Sequence, residues 1–291
     1  MWINHWIAVA TGGSVPPGAA AGVGAQAAAP TRQPRWGAGH WNWRWLWAWP
    51  FPLAVLALWQ LSAVNGWVPD QVLPPPGVVF STFADMAASG ELWSHLSISL
   101  VRVFSGFGIG LAAGLLLGAA MGLSPTVRDY VFPLFKAFSQ VPVIGWLPLL
   151  MLLVGIDEAL KFLLIAKAAL VPVAINTCQG IQSVPNRFVE VAKVYGFTRW
   201  QMLTKVVFPA ATAPIWNGVR YGLTHAWLAL VVVELLASSE GVGFLIVYGR
   251  QLFQLDVVLA AVLAVGIVGL ALDKVLACTE SWLLRWRRPG L

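Results

Sequence analysis

The chain alternates long apolar runs with short polar stretches, and the runs have the length of membrane-spanning helices. A helix needs about 20 apolar residues to cross a bilayer, and six segments approach that length. They lie at about 46–65, 97–123, 132–154, 159–181, 208–237 and 256–280. The third contains Pro142 and Pro148, and the fifth is entered through Pro209 and Pro214. Proline removes a backbone hydrogen bond, so we expect these two helices to be kinked or interrupted.

The composition supports the same class of protein. Of the 291 residues, 58% are hydrophobic and 10% are charged, whereas a soluble domain carries about 25% charged residues. So little charge cannot cover a water-soluble surface, which excludes ordinary soluble enzymes, disordered proteins and nucleic-acid-binding domains. The net charge of +6 does not indicate nucleic acid, because basic cytoplasmic loops account for it. The sequence predicts an all-α polytopic protein of a bacterial inner membrane, with about six transmembrane helices.

The first 65 residues differ from the rest of the chain. Residues 1–40 are rich in Ala, Gly and Pro and lack the order of a secretory signal, so we predict a disordered cytoplasmic tail. Residues 41–65 hold a Trp cluster around Arg44 and then the first span. Trp and Arg beside an apolar span are typical of a membrane interface, with a ligand-binding Trp cage as the alternative. Residues 66–291 are then the core domain.

Lys and Arg residues outside the spans are concentrated on one side of the predicted membrane. That side holds Arg32, Arg35, Arg44, Arg128, Arg187, Lys193, Arg199, Lys205, Arg285, Arg287 and Arg288. The other side holds only Arg250, with Lys161 at its edge. Because cytoplasmic loops carry the excess of positive charge, both termini are predicted to be cytoplasmic.

The second span carries a glycine at every fourth position. These glycines are Gly106, Gly110, Gly114, Gly118 and Gly122. Residues four apart share one helical face, and glycine lets another backbone approach closely. The pattern therefore predicts a packing face for a neighbouring helix.

The segment 183–209 reads as two short helices joined by a glycine. We expect Ser183 to cap an amphipathic helix, and we expect Gly196 to end that helix in the left-handed conformation. Thr198 and Gln201 have the spacing of a capping box for a second helix. A helix–glycine–helix elbow suits the docking of a partner, but an ordinary amphipathic connector has the same pattern.

The same segment resembles the signature loop of ABC-importer permeases. That signature runs Glu-Ala-Ala, three residues, Gly, nine residues, Ile, one residue and Leu-Pro. Glu190, Ala192, Gly196 and Pro209 stand at the expected positions of this 20-residue pattern. The departures keep size class and apolarity, and they are Val191, Val206 and Phe208.

The resemblance extends from about Phe51 to Arg288 and points to one branch, the nitrate/sulfonate/taurine permease family. The chain looks most like the aliphatic-sulfonate permeases of that branch. The stretches that carry the likeness include Val72-Leu73-Pro74-Pro75-Pro76, Trp146-Leu147-Pro148-Leu149, Val154-Gly155-Ile156-Asp157-Glu158, Asn176-Thr177, Val233-Glu234 and Gly241-Val242-Gly243.

The resemblance implies a homodimeric channel unit with the type I ABC-importer permease fold. Each copy would dock one ATP-binding subunit through a coupling loop at 183–209, with contacts from Glu190, Val191, Ala192, Gly196 and Pro209. A periplasmic or lipid-anchored binding protein would deliver a small anion, an aliphatic sulfonate first. The chain has no phosphate-binding loop of its own, so ATP-Mg would be bound and hydrolysed on the partner ATPase. The chain itself would bind no cofactor and would not be an enzyme.

Other readings stay open at this stage. Within the importer class the substrate could be taurine, nitrate or a small organic precursor. From a different class, the chain could be a secondary transporter or channel that works without ATP. The elbow and the lack of two similar inverted halves speak against that reading. A membrane-embedded enzyme would need a convergent acid, His or metal cluster in the spans, and the sequence shows none.

Two cations are predicted near the middle of the bilayer. At a rise of about 1.5 Å per residue, Arg220 lies roughly 16 Å from the cytoplasmic side and Lys167 roughly 12 Å from the outer side. Ionisable residues in spans are functional candidates, so both are predicted to line an anion path, together with Trp146, Asn217 and Trp227. The alternative is that each cation snorkels or bonds backbone carbonyls.

A third cation in a span has a predicted partner. Arg102 enters from the outer side at a depth similar to that of Glu234, so we predict that the two meet as a gate or structural latch. The four histidines, His5, His40, His95 and His225, are scattered, and no metal site is expected.

Overall fold

A computed structural model describes residues 50–69 and 71–285, and in that part of the chain all regular secondary structure is helical. The predictions for the tail at 1–40 and for the Trp cluster up to Trp49 lie outside the described residues. The helices are α1 (Pro50–Val64), α2 (Pro76–Ala88), α3 (Glu91–Leu123), α4 (Pro125–Gln140), α5 (Val143–Val154), α6 (Glu158–Gln182), α7 (Asn186–Val194), α8 (Arg199–Met202), α9 (Phe208–Ala237), α10 (Val242–Gln251) and α11 (Leu255–Leu283).

Helices α3 and α6 run parallel in close contact, and the glycine face of α3 forms the interface. A Cβ added at Gly106 would lie 2.7 Å from Ile165, one at Gly114 would lie 2.8 Å from Val173, and the remaining three glycines meet α6 in the same way. All five predicted glycines therefore pack against a neighbouring helix, as expected. This neighbouring helix, α6, corresponds to the fourth predicted span, and more than half of its residues are buried inside the protein.

Helix α9 packs antiparallel against α6 and also contacts α3. Gly180 of α6 lies against Pro214 near the start of α9, and Gly222, two turns further on, lies against Val173. Helices α3, α6 and α9 thus form the core of the molecule. The start of α3, the start of α6 and the end of α9 meet at one end of this core, and the segment 183–209 lies at the other.

The predicted third span is two helices with a sharp bend between them. Helices α4 and α5 meet at an angle of 93°, at the break formed by Val141 and Pro142. The predicted interruption at Pro142 is therefore confirmed. Pro148, by contrast, lies inside α5 and does not end it. The bend leaves the end of α4 and the start of α5 against the same stretch of α6.

Helices α2 and α10 and the start of α11 pack at the end of the core that lies opposite the segment 183–209. A cluster of buried side chains joins α2, α3, α10 and α11, with Leu92, Leu96, Leu245 and Ala261 at its centre. Helix α1 is largely exposed, and its Trp59 donates a hydrogen bond from Nε1 to the Pro74 carbonyl at 3.1 Å.

Within the described residues, three helical segments are long and apolar enough to cross a membrane: Glu91–Leu123, Arg199–Gln251 and Leu255–Leu283. The bent pair α4 and α5 makes a fourth when it is counted as one span. Multiple crossings are therefore supported, whereas the full number of six stays a prediction. The orientation of the termini stays a prediction as well.

Candidate functional sites

An arginine from α3 joins α6 and α9 at the end of the core opposite the segment 183–209. Arg102 Nη1 lies 3.1 Å from Glu234 Oε1, which confirms the contact that the sequence predicts. The guanidinium also holds Glu158 with two bonds, from Nη2 to Oε1 at 2.6 Å and from Nε to Oε2 at 2.8 Å. Arg102 is 4% exposed and Glu234 is 1% exposed, whereas the Glu158 side chain is 49% exposed. We call these three residues the Arg102 cluster.

Ser99 of α3 and backbone groups at the turn between α9 and α10 complete the cluster. Glu234 accepts hydrogen bonds from Ser99 Oγ at 2.8 Å and from the Gly243 backbone N–H at 3.0 Å. Arg102 also donates to the Glu240 carbonyl at 2.8 Å. A buried ion pair is tolerated when further hydrogen bonds satisfy its remaining donors and acceptors, and this one is satisfied in that way. The cluster therefore fixes the turn after α9 to the starts of α3 and α6.

Gly241 shows why the turn needs glycine. Its φ of +106° is unfavourable for any residue with a side chain, and an added Cβ would overlap the Glu234 carboxylate. The Gly241-Val242-Gly243 stretch is thus shaped by the buried carboxylate that it surrounds.

Glu158 was not found from the sequence. It lies one residue ahead of the predicted fourth span, outside the set of intramembrane charges considered as partners. Its hydrogen bond from Arg102 lowers the pKa of this carboxyl from 4.5 to about 2, and a second bond from Lys161 acts in the same direction. Glu158 therefore stays ionised under mildly acidic conditions.

The elbow, which we define as residues 186–202, is built from standard helix-ending and helix-starting contacts. Gly196 has a φ of +70°. Its N–H donates to the Lys193 carbonyl at 3.0 Å and the Phe197 N–H donates to the Ala192 carbonyl at 3.0 Å, which is the Schellman pattern of a glycine C-cap. The glycine stop predicted at Gly196 is confirmed.

The second half of the elbow also follows the predicted capping. The Thr198 hydroxyl accepts from the Gln201 N–H, and the Gln201 side chain accepts from the Thr198 N–H, so the capping box is present. The predicted cap at Ser183 is wrong. Its hydroxyl bonds the Gly180 carbonyl instead, and α7 begins after Pro185 without a side-chain cap.

The elbow exposes apolar side chains. Of the side that the sequence marks as apolar, only Ala192 is buried, whereas Val191, Tyr195 and, beyond the turn, Trp200 are 54%, 78% and 72% exposed. Glu190 is also exposed. An amphipathic helix normally buries its apolar face, so this surface has no partner within the described part of the chain.

Pro209 is the second residue of α9, which continues directly from the helical turn before it. A single π-helical turn, Leu203–Val207, connects it to α8. Helix α9 then continues through Pro214, so the interruption expected on entry to the fifth span is confined to the segment before Phe208.

A cavity of about 580 Å³ lies between the bend of α4 and α5, the middle of α6 and the second half of α9. Lys167 lines it, as do Asn176 and His225. The Lys167 ammonium donates to the Val141 carbonyl at the bend and lies 5.4 Å from the Phe138 ring centre and 5.6 Å from that of Trp146. The other lining residues are almost all aliphatic or proline.

The other four residues predicted for the anion path do not line the cavity, although the Trp146 ring lies beside the Lys167 ammonium. Arg220 pairs with Asp273 of α11, at 2.9 Å from Nε to Oδ1, and reaches Glu280 at 3.3 Å. Trp227 is buried in the core. Asn217 is exposed, and neither it nor Trp146 is among the lining residues. The structure therefore brings only Lys167 of these five to the cavity.

The cavity residues that the sequence reasoning missed carry a weak signal. His225, Leu228, Ala229, Val232 and Val233 all line the cavity, and they stand at positions i, i+3, i+4, i+7 and i+8 along α9. That spacing marks one helical face. Residues 50–69 and 71–285 contain no group of three or more potential metal ligands.

Comparison with known proteins identifies the family. Residues 110–285 match the family described as binding-protein-dependent transport system inner membrane component. A Bacillus subtilis (strain 168) permease protein named for aliphatic sulfonates transport is 40% identical over 233 residues, which is 80% of this chain and 84% of that protein. An Escherichia coli (strain K12) protein with the same name is 37% identical over 80% of this chain and 89% of its own length.

Two further similarities complete the comparison. The Escherichia coli taurine transport system permease protein is 33% identical, over 80% of this chain and 86% of that protein. Among solved structures, an inward-facing MetNI methionine ABC transporter matches with a TM-score of 0.46 at 20% identity, over 64% of this chain and 93% of that chain. From the family match and the similar permeases, the chain belongs to the family of binding-protein-dependent transport system inner membrane components.

Proposed function

We propose that this chain is the permease subunit of an ATP-driven importer that moves a small anion, an aliphatic sulfonate, into the cytoplasm of a bacterium. It acts as a transport component and not as an enzyme. Its proposed partners are two copies of an ATPase that binds ATP-Mg, a periplasmic or lipid-anchored binding protein and a second copy of the chain. Residues 66–291 form the transport domain, and both termini are cytoplasmic.

The elbow is the observation that carries the proposal. A transport component without a phosphate-binding loop must receive the energy of ATP hydrolysis through contact with another subunit. The elbow is suited to that contact because α7 is short and is followed by a glycine turn, and because the elbow exposes Val191, Tyr195 and Trp200. Glu190 and Gly196 stand where the importer signature has them, and the structure gives Gly196 the conformation that only glycine adopts at little cost.

The arrangement of the core supports transmission from one end to the other. Helix α6 has 25 residues and is therefore about 37 Å long. The elbow follows its last turn, whereas the Arg102 cluster holds its first turn. In an alternating-access cycle, closure of the ATPase pair would move the elbows together and turn the cavity outward. The Arg102 cluster would keep the outer ends of α3, α6 and α9 together as a latch.

An aliphatic sulfonate is the favoured substrate for two reasons. The proteins at 40% and 37% identity are named for aliphatic sulfonates transport, and the cavity presents a cation, Lys167, to an anion. Taurine is the second candidate, since a taurine permease is 33% identical, and nitrate is the third, since a nitrate import permease is 31% identical.

A secondary transporter or channel is the alternative from another class. It would need no ATPase and would leave the exposed side chains of the elbow without a role. Co-purification with the candidate ATPase separates the two readings, because only the importer forms a stable complex through the elbow.

Replacement of Gly196 by proline tests the elbow itself. Proline cannot adopt a φ of +70° and has no N–H to bond Lys193, so Gly196→Pro should abolish ATPase binding or uncouple ATP hydrolysis from uptake while the chain still inserts. Gly66→Pro is a matched control, because Gly66 also has a positive φ, +62°, and donates to Ala63 in the turn after α1. Normal uptake by Gly196→Pro would contradict the assignment.

A further inference from the structure

The cavity has a chemistry that selects among anions. Its lining includes one cation, Lys167, and no carboxylate. Three other lining residues have polar side chains, Ser139, Asn176 and His225, and the rest are apolar. A volume of about 580 Å³ lies within the roughly 300–1,000 Å³ of small-molecule sites, which combine apolar walls with a few placed polar groups in the same way.

The cation is held in a fixed position at the bend. Val141 lies between the end of α4 and the start of α5, so its carbonyl is outside both helices. The Lys167 ammonium donates a hydrogen bond to this carbonyl. The rings of Phe138 and Trp146 lie on the same ammonium. An ammonium has three donors, so two remain for a ligand. Within the described residues Lys167 has no carboxylate partner, and its charge is not neutralised by the protein.

The walls of the cavity are suited to an alkyl chain. Leu164 and Val171 contribute from α6, and Leu228 and Val232 contribute from α9. Each methylene group that leaves water for such a surface gains about 0.8 kcal/mol. An inorganic anion has no group that could use these walls.

We infer that this cavity is a binding site of the permease itself for an organic anion with an unsubstituted alkyl chain, whose anionic head lies at Lys167 and whose chain lies along the aliphatic wall. The inference rests on the proposed function and adds a second selection step after the binding protein. A zwitterion such as taurine would bring an ammonium group into a site that already holds a cation and has no carboxylate to pair with it. Burial of an unpaired charge is costly.

Direct binding to the purified full-length chain in nanodiscs tests the site without the binding protein. The probe is radiolabelled pentane-1-sulfonate in equilibrium dialysis, with methanesulfonate, taurine and nitrate as competitors. We expect saturable binding of the probe. Each methylene removed should weaken binding about four-fold, and both taurine and nitrate should compete more weakly than pentane-1-sulfonate. The series uses the unaltered chain, so it does not depend on the folding of a variant.

Lys167→Met then removes the charge while retaining a long apolar side chain. Loss of a hydrogen bond to a charged group should weaken binding of the probe at least about ten-fold. Lys274→Met is the matched control, because Lys274 is exposed on α11 and does not line the cavity. It should bind as the unaltered chain does. Equal binding by Lys167→Met, no dependence on chain length, or no binding at all would overturn the inference.

The outcome separates this inference from the proposed function. ATP hydrolysis by the complex with its ATPase and loaded binding protein is measured on the same preparations. A complex that responds while the nanodisc chain shows no preference for alkyl sulfonates contradicts the site and keeps the importer. A chain that prefers pentane-1-sulfonate in a complex that never responds supports the site and contradicts the importer.

Discussion

Arg102 and Glu234, 132 residues apart in the chain, meet in the interior with 3.1 Å between Nη1 and Oε1. Both side chains are almost fully buried, and both are otherwise satisfied by Glu158, Ser99 and backbone groups. Because α3, α6 and α9 each contribute a charged group to this contact, it ties the three core helices together at the end opposite the elbow.

Loss of the arginine should be among the most destabilising single changes in the protein. Arg102→Met leaves the Glu234 carboxylate buried without a cation, which costs about 3–5 kcal/mol. Glu158→Gln should cost less, since that side chain is half exposed. The control is Arg128→Met, whose surface pair with Asp129 is worth about 0–1 kcal/mol. Thermal unfolding in detergent, followed by tryptophan fluorescence, should rank the three variants in that order, and an equal effect of Arg128→Met would contradict the account.

The pairing of Glu158 predicts how stability depends on pH. The pKa of this carboxyl is lowered to about 2 in the folded protein, so its contribution to stability is fully present above its ordinary pKa of 4.5 and is lost as the pH falls through 2. The difference in melting temperature between the unaltered chain and Glu158→Gln should therefore be largest above pH 4.5 and shrink towards pH 2. A difference that does not change with pH would show that the carboxylate charge plays no part.

Two glycines of α3 should respond differently to replacement by alanine. At Gly110 an added Cβ would overlap the Ala166 carbonyl oxygen and lie 2.8 Å from Ala169 Cβ, so Gly110→Ala should destabilise the protein by about 1–3 kcal/mol. At Gly108 nothing lies within 4 Å, and Gly108→Ala should be neutral or stabilising by up to about 1 kcal/mol. The measurement is the melting temperature of each variant compared with that of the unaltered chain. An unchanged melting temperature for Gly110→Ala would mean that α3 and α6 are not in close contact.

We expect Arg220 to stabilise the protein through its contact with α11 and not to bind the anion. Its guanidinium is paired with Asp273, so Arg220→Gln and Asp273→Asn should reduce stability to similar extents, and the double variant should be no worse than either alone. The measurement is a double-mutant cycle on melting temperature combined with anion uptake. If Arg220→Gln reduces uptake while Asp273→Asn does not, the arginine acts on the anion, as the sequence alone suggests.

Local patterns in the sequence predict much of this fold, because they are set by backbone chemistry. The glycine face of α3, the left-handed stop at Gly196 and the Thr198–Gln201 capping box all follow from residue type and spacing. The cap at Ser183 fails because the hydroxyl finds the Gly180 carbonyl within its own helix. The family of the chain is also recognisable from the elbow, since its spacing is unusual.

The contacts between distant helices are less accessible to sequence reasoning. Depth estimates bring Arg102 to Glu234, but they give no rotation of one helix about another. Depth alone therefore predicts that Arg220 lines the anion path, whereas in the structure its side chain pairs with Asp273 of α11. For the same reason Lys167 could be assigned a depth from sequence, whereas its bond to the Val141 carbonyl depends on the bend between α4 and α5.

The central claim is that this chain couples transport to an ATPase on another polypeptide. The most direct measurement is ATP hydrolysis by the chain purified together with its candidate ATPase, with and without a binding protein loaded with pentane-1-sulfonate, taurine or nitrate. We predict a stable complex whose hydrolysis rises with the sulfonate-loaded binding protein and falls to the basal rate in Gly196→Pro. Failure of the chain and the ATPase to form a complex would contradict the claim and favour a transporter that works without ATP.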